Sequence, residues 1–329
     1  SIIEKNPQRP FLHDLDSLPF PDREMWKEWI DEHPGSMDSV LLGRGCPFQC
    51  TYCSNHALRR LAIGSYVRFR SPDNIVNEIK EITTSCPTKE NFYLEVETMG
   101  VNKKWDLELC SKLEQLNITL ANPLNFGVNL RVTPNVDLEG LFSSFKKSNF
   151  KFVNIGLESG SERVRREILK RNYSNKDIIN AVSLARKYGL KVNFFNLIGI
   201  PGETLADFDE TIKLNRLCQP DSQMLSIFYP YPGTDLYSLC KEQGLLNETL
   251  NQGIERSKAV LDIPGFTKKQ IQKNYSWFNF YVYRGYKPIY KILASVMVHK
   301  IHSSYRLNKF YRWITSITFF KWLKHHFKL

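Results

Sequence analysis

From Ser39 to Thr234 the chain alternates short apolar runs with longer stretches of helical spacing. SVLLGRG, starting at Ser39, is an apolar run that ends in glycine and predicts a buried strand. PDNIVNEIKEITT (72–84) opens on Pro and Asp and sets Ile75, Ile79 and Ile82 on one face, which predicts a helix. The rhythm continues with strand signals at 92–97, 126–132, 151–158, 191–200 and 222–234, the last including its turn. Helical patterns lie between them at 105–116, 137–147, SERVRREILKR, 175–189 and 204–217. Strict alternation predicts an α/β fold with a parallel sheet and right-handed crossovers. Six units fall short of an eight-stranded barrel. The expected fold is therefore a partial (βα)6 TIM-like barrel, open on one side, with active residues at the C-terminal strand ends.

Both flanks break this rhythm. The first 35 residues are prolyl and aperiodic, an extended linker that straps across a neighbouring surface. The organisation expected is linker 1–35, core 36–245 and a C-terminal accessory region 246–329. Hydrophobic content of 42% is that of a globular protein, and no run of about 18 apolar residues suggests a spanning helix. Net charge is +11, but residues 265–329 hold thirteen Lys or Arg and no Asp or Glu, so the rest is close to neutral.

The seven cysteines are an odd number, and three cluster in GRGCPFQCTYC as Cys46, Cys50 and Cys53. A disulfide framework would be even and dispersed, so the expectation is a reduced, cytoplasmic protein with metal-binding thiolates. Structural zinc wants four protein ligands, and so do ferredoxin clusters. C-x3-C-x2-C offers three, which suits a four-iron cluster with one iron left open for substrate or cofactor. Zinc with His56 as fourth ligand, and plain core thiols, stand as the other readings.

CPFQCTYC resembles the CxxxCxΦC signature of the radical S-adenosylmethionine (radical SAM) superfamily, with Tyr52 as the aromatic residue. LEVETMGVNKKW, GLESGS, GIPGET and YPYPGT follow in the family's order, and LDSLPFPDRE resembles the subgroup with an N-terminal cobalamin-binding domain. The resemblance spans about residues 14–245. It implies a [4Fe–4S] cluster on Cys46, Cys50 and Cys53. It further implies reductive cleavage of S-adenosylmethionine to a 5′-deoxyadenosyl radical that takes a substrate hydrogen. Tyr52 would lie near adenine and Glu97 would accept from the ammonium. Glu158 would hold the ribose hydroxyls, Lys170 would pair with the carboxylate, and Arg131 would face the same mouth. The backbone from Ile200 to Gly202 would line the adenine pocket. Each also has a plainer reading: salt-bridged strand ends for the two glutamates, solvated charge for Lys170 and Arg131, packing for Tyr52.

The subgroup implies cobalamin-dependent C-methylation in the intact protein. No DxHxxG occurs here, and the chain opens at Ser1 inside the linker, so a chain cut from a longer protein is expected. Radical rearrangement or cyclisation, tRNA modification, and a non-catalytic zinc or iron–sulfur module are the alternatives. The implied partners are a small-molecule or lipid substrate and a reductant such as ferredoxin or flavodoxin. In the tail, Leu307, Phe310, Ile314, Ile317, Phe320 and Leu323 recur at helical spacing. Arg306, Lys309, Arg312, Lys321, Lys324 and Lys328 fall largely elsewhere. Such a helix suits peripheral contact with the inner membrane surface, or a cap on the open side of the barrel. Nucleic acid ranks below both.

Overall fold

The computed structural model describes residues 6–28, 37–134, 136–246 and 255–316. In chain order the elements are β1 (Asp38–Leu41), β2 (Gly43–Arg44), α1 (Ser54–Leu58), β3 (Arg68–Phe69), α2 (Pro72–Ser85) and β4 (Asn91–Met99). Next come α3 (Lys103–Ile118), β5 (Asn125–Leu130), α4 (Leu138–Lys147), β6 (Phe150–Glu158), α5 (Asn175–Lys187) and β7 (Lys191–Ile198). They are followed by α6 (Leu205–Cys218), β8 (Ser222–Ile227), α7 (Asp235–Glu242), α8 (Lys268–Tyr283), α9 (Ile289–His302) and α10 (Tyr305–Ser316). Six strands form one parallel sheet in the order β1-β4-β5-β6-β7-β8, with its first and last strands unpaired to each other. The alternation of apolar runs thus yields the α/β fold with an open six-stranded sheet.

The chain divides into two compact units. The first holds residues 1–157, 170–194 and 220–223. Its core is a row across four strands: Val40 lies beside Leu94, Leu94 beside Val128 and Val128 beside Val153. All four are fully buried. Ile75 and Ile79 of α2, Leu109 and Leu113 of α3 and Phe142 of α4 are equally closed to solvent, as their helical spacing requires. Each helix starts on a cap: Ser71 accepts from the Asn74 amide, Asn102 from Trp105 and Asp137 from Gly140. On the other face of the strands runs a polar ladder. Tyr93 donates to Asn129, Asn154 to Asn129 and Tyr93, Asn193 to Asn154, and Ser222 to Asn193. The N-terminal stretch binds this unit through Asp16, which accepts from the Ser71 amide, and Arg23, which pairs with the buried Glu78.

Two expectations are corrected. SVLLGRG is not one strand. It breaks at Leu42, and Gly43–Arg44 pairs antiparallel with Arg68–Phe69. SERVRREILKR forms no α-helix but a single widened turn, Val164–Ile168, closed by the Leu169 amide on the Val164 carbonyl. The fully buried Arg165 donates from that turn to the Ser159 carbonyl.

The second unit holds residues 158–169, 195–219 and 224–329. Its core gathers Phe208, Phe266 and Phe278, with Phe208 5.5 Å from Phe278 and 6.2 Å from Phe266. Arg216 binds the C-terminal carbonyls of α8, accepting none and donating to Tyr281, Val282 and Arg284. Between β7 and α6 the chain turns through Gly199 and Gly202, both at positive φ. Glu203 holds the turn: its Oε2 accepts from the Gly199 amide at 2.7 Å and the Ile200 amide at 3.2 Å. Its Oε1 is buried without a partner. Burial pushes the Glu203 carboxyl from 4.5 up to about 8, against the pull of the two amides.

Two predictions follow from these contacts. A Cβ at Gly127 would sit 2.0 Å from the Phe152 ring, which lies parallel to Tyr93 across this position. Gly127→Ala should destabilise by about 1–3 kcal/mol in urea unfolding, and an unchanged midpoint would contradict the packing. For Glu203, the folded protein keeps a proton that the unfolded chain has lost, so stability falls as pH rises from 4.5 towards about 8. Glu203→Gln removes that loss, and its stability relative to the parent should increase with pH across the window. Parallel profiles would contradict the assignment.

Candidate functional site

The cysteine loop lies between β2 and α1. Its first turn demands glycine: Gly45 has φ +85, and a Cβ there would meet the Tyr66 carbonyl oxygen at 2.1 Å. The Cys53 amide then closes a turn on the Cys50 carbonyl at 3.1 Å, and Cys53 precedes α1 as its N-cap. Cys50 is buried, while Cys46 and Cys53 are half-buried. Burial pushes the Cys46 thiol up to about 11, reinforced by Cys50 and Cys53 and opposed by the Phe48 amide and the Arg131 charge.

Polar side chains of the first unit surround the loop. Arg131, just past β5, donates from Nη1 to the Cys50 sulfur at 2.9 Å. Its guanidinium lies 3.7 Å from the centre of the Phe48 ring. Asn55 donates to the Cys53 sulfur at 3.8 Å and accepts from the Tyr66 hydroxyl at 2.6 Å. The Tyr66 hydroxyl is pushed up first by burial, then by the charges of Glu97, Cys53 and Cys46, which places Glu97 within electrostatic reach of the loop. Glu97 itself is exposed on β4. Tyr52 accepts from Nη1 of Arg171 at 2.8 Å. Arg171 is buried and also donates to the Gly156 carbonyl at 2.8 Å and the Tyr173 hydroxyl at 3.1 Å.

The structure therefore brings Cys46, Cys50, Cys53, Tyr52, Arg131 and Glu97 together in one unit. Lys170 is exposed and sits at φ +55, and the chain presents its neighbour Arg171 to the interior instead. Glu158, Ile200 and Gly202 belong to the second unit. Glu158 is buried at φ +61, Ile200 is fully buried, and Gly202 is exposed with its carbonyl accepting from Arg163. Non-glycine residues at positive φ cost of order 1–3 kcal/mol and persist where the surroundings dictate them. Reading the sequence missed Arg171, Asn55 and Tyr66. No spacing marks them, because each acts on the loop through a tertiary contact.

The donor set fits an iron–sulfur cluster. One loop delivers three thiols, with an N–H donor and a positive charge at Cys50 and a carboxamide donor at Cys53 to offset thiolate charge. Structural zinc takes four protein ligands, whereas this loop offers three thiols. His56 turns Nδ1 to the Cys53 carbonyl at 2.9 Å and so braces the loop's backbone.

Comparison with known proteins agrees with this chemistry. The chain is 28% identical over 274 residues to an uncharacterized methyltransferase of Pyrococcus horikoshii, covering 82% of this chain and 57% of that protein. It is 26% identical to the anaerobic magnesium-protoporphyrin IX monomethyl ester cyclase of Cereibacter sphaeroides, covering 71% of this chain and 37% of the other. It thus spans only about half, or less, of these relatives' length. Its fold is similar to that of the radical S-adenosylmethionine methyltransferase TsrM of Kitasatospora setae, solved with cobalamin and a [4Fe–4S] cluster bound. That likeness has a TM-score of 0.56 and 18% identity, covering 68% of this chain and 40% of TsrM. The family model for the radical SAM superfamily matches residues 40–214, a span that takes in the cysteine loop and the strand ends from β4 to β7. A match over more than half of the chain makes it a member of the radical SAM superfamily.

Proposed function

We propose that this chain is the catalytic core of a C-methylating radical SAM enzyme, and that the longer protein it belongs to uses cobalamin. The observation that carries the reading is the cysteine loop itself: three thiols, with Arg171 bound to Tyr52 between two of them and the Arg131 cation on the Cys50 sulfur. The methyltransferases among its relatives favour methylation over cyclisation or rearrangement. Cys46, Cys50 and Cys53 would hold a [4Fe–4S] cluster, which when bound would supply the electron for cleaving the sulfonium C–S bond of S-adenosylmethionine. The protein's share is binding and orientation. In this reading Glu97, exposed on β4, accepts from the ammonium, and Glu158 takes the ribose hydroxyls. Arg171 rather than Lys170 is the buried cation on the Tyr52 side of the loop, and it orients that ring for adenine. Ile200 supplies an apolar wall in a turn whose backbone Glu203 fixes. We assign residues 36–245 to the core, 1–35 to a linker and 246–329 to an accessory region. The electron comes from a ferredoxin- or flavodoxin-type donor, the substrate is a small molecule or lipid, and the setting is cytoplasmic.

The accessory region supports a second element of the reading, peripheral membrane contact. Among the described residues no helix is long and apolar enough to cross a membrane. On α9, however, Ile289, Tyr290, Leu293 and Met297 are exposed large hydrophobics at helical spacing, joined by Leu307 on α10. No acidic residue lies among residues 265–329. Such a surface suits anionic lipid, which attracts each Lys or Arg by roughly 1 kcal/mol. The apolar positions from Ile317 to Leu323 lie outside the described residues, as do Lys321, Lys324 and Lys328.

The radical chemistry predicts that the chain, reconstituted anaerobically with iron and sulfide, converts S-adenosylmethionine to 5′-deoxyadenosine under strong reductant. Cys50→Ala should yield none, and equal product from both would contradict the assignment. The membrane contact predicts co-sedimentation with anionic liposomes that a Leu293→Asn/Met297→Asn double variant loses several-fold. Equal sedimentation of the two would contradict it.

A further inference from the structure

We propose that Arg131 sets the reduction potential of the cluster by donating a hydrogen bond to the sulfur of Cys50. The proposal rests on the cluster reading above and goes beyond it, because it assigns Arg131 to the cluster's electronics and not to cofactor binding.

Three contacts pin the residue. The Arg131 amide donates to Oγ1 of Thr98 at 2.7 Å, which fixes the backbone just beyond β5. The guanidinium lies over the Phe48 ring at 3.7 Å, and Phe48 belongs to the cysteine loop itself. Nη1 then reaches the Cys50 sulfur at 2.9 Å. Cys50 is the buried member of the three, so the charge acts through a medium less polarisable than water. A guanidinium keeps its proton at any working pH and is a permanent donor and a permanent cation.

Reduction adds one electron, taken from an external donor of ferredoxin or flavodoxin type, to a cluster already carrying thiolate charge. No covalent bond forms or breaks. An N–H donor and a positive charge at a ligand sulfur stabilise the more negative, reduced form more than the oxidised form. The potential is therefore raised, and a weaker reductant suffices. A second sulfur contact, from the neutral carboxamide of Asn55 at 3.8 Å, is longer and carries no charge. Arg131 is thus the dominant positioning and tuning group among these contacts.

The test uses the full chain reconstituted anaerobically, with iron and sulfide content measured first. The midpoint of the cluster's one-electron couple is then read by redox titration with electron paramagnetic resonance, without S-adenosylmethionine. Arg131→Met, which loses donor and charge, should make reduction about tenfold less favourable, a shift of about 59 mV to lower potential for one electron. Arg131→Lys, which keeps the charge, should recover part of it and also reads the potential if the Met variant loads poorly. Equal midpoints in parent and variants with full clusters would overturn the proposal. So would unchanged midpoints with weakened S-adenosylmethionine binding, which would make Arg131 a cofactor ligand only. A parent chain that assembles no cluster would instead overturn the underlying reading.

Discussion

Parallel pairing in register is the constraint on which the site depends. Val40, Leu94, Val128 and Val153 form one buried row across β1, β4, β5 and β6. A slip of one residue would turn that row to the opposite face and expose it, so burial fixes register strongly. Once the row is fixed, the residues that follow these strands must emerge at one edge. That edge receives the cysteine loop after β2, Glu97 near the end of β4 and Arg131 after β5. The polar ladder from Tyr93 to Ser222 begins on the face opposite the row, with Tyr93, Asn129 and Asn154 each next in sequence to a buried row residue. Packing thus decides where chemistry can be placed before any functional residue is considered.

The loop is then an electrostatic problem. Burial pushes the Cys46 thiol up to about 11, and the neighbouring Cys50 and Cys53 add to the push. Metal binding must displace that proton. The surrounding groups are of the kind that ease the step: a permanent cation at Cys50, a carboxamide at Cys53 and an amide at Cys46. Arg171 donates to the Tyr52 hydroxyl, beside Cys53 in the loop. Arg131 donates to one of the three thiols and Arg171 to the aromatic residue between two of them.

Much of this was legible from sequence because it is local. The strands showed as apolar runs bounded by Gly or Pro, and the helices as threefold and fourfold spacings with caps such as Ser71 and Asp137. Cysteine ligands cluster because one loop must deliver them, so C-x3-C-x2-C was readable at once. What stayed hidden depends on distant partners. The break at Leu42 exists because Gly43–Arg44 finds Arg68–Phe69. The segment after Glu158 carried a helical pattern but widened into one turn around the buried Arg165. The left-handed backbone at Lys170 then turns adjacent side chains in opposite directions, leaving Lys170 exposed and Arg171 buried. A Lys-Arg pair gives no sign of which member will face inward. The contact of Arg131 with Cys50 joins residues 81 positions apart, beyond the reach of any periodicity.

The central claim is that Cys46, Cys50 and Cys53 hold a cluster with one iron open to S-adenosylmethionine. Its most direct test is the electron paramagnetic resonance spectrum of the reduced, reconstituted chain before and after S-adenosylmethionine is added. The account predicts a [4Fe–4S] signal whose shape changes on addition, because the ligand enters the coordination of the open iron. A full cluster whose signal is unmoved by saturating S-adenosylmethionine would contradict it.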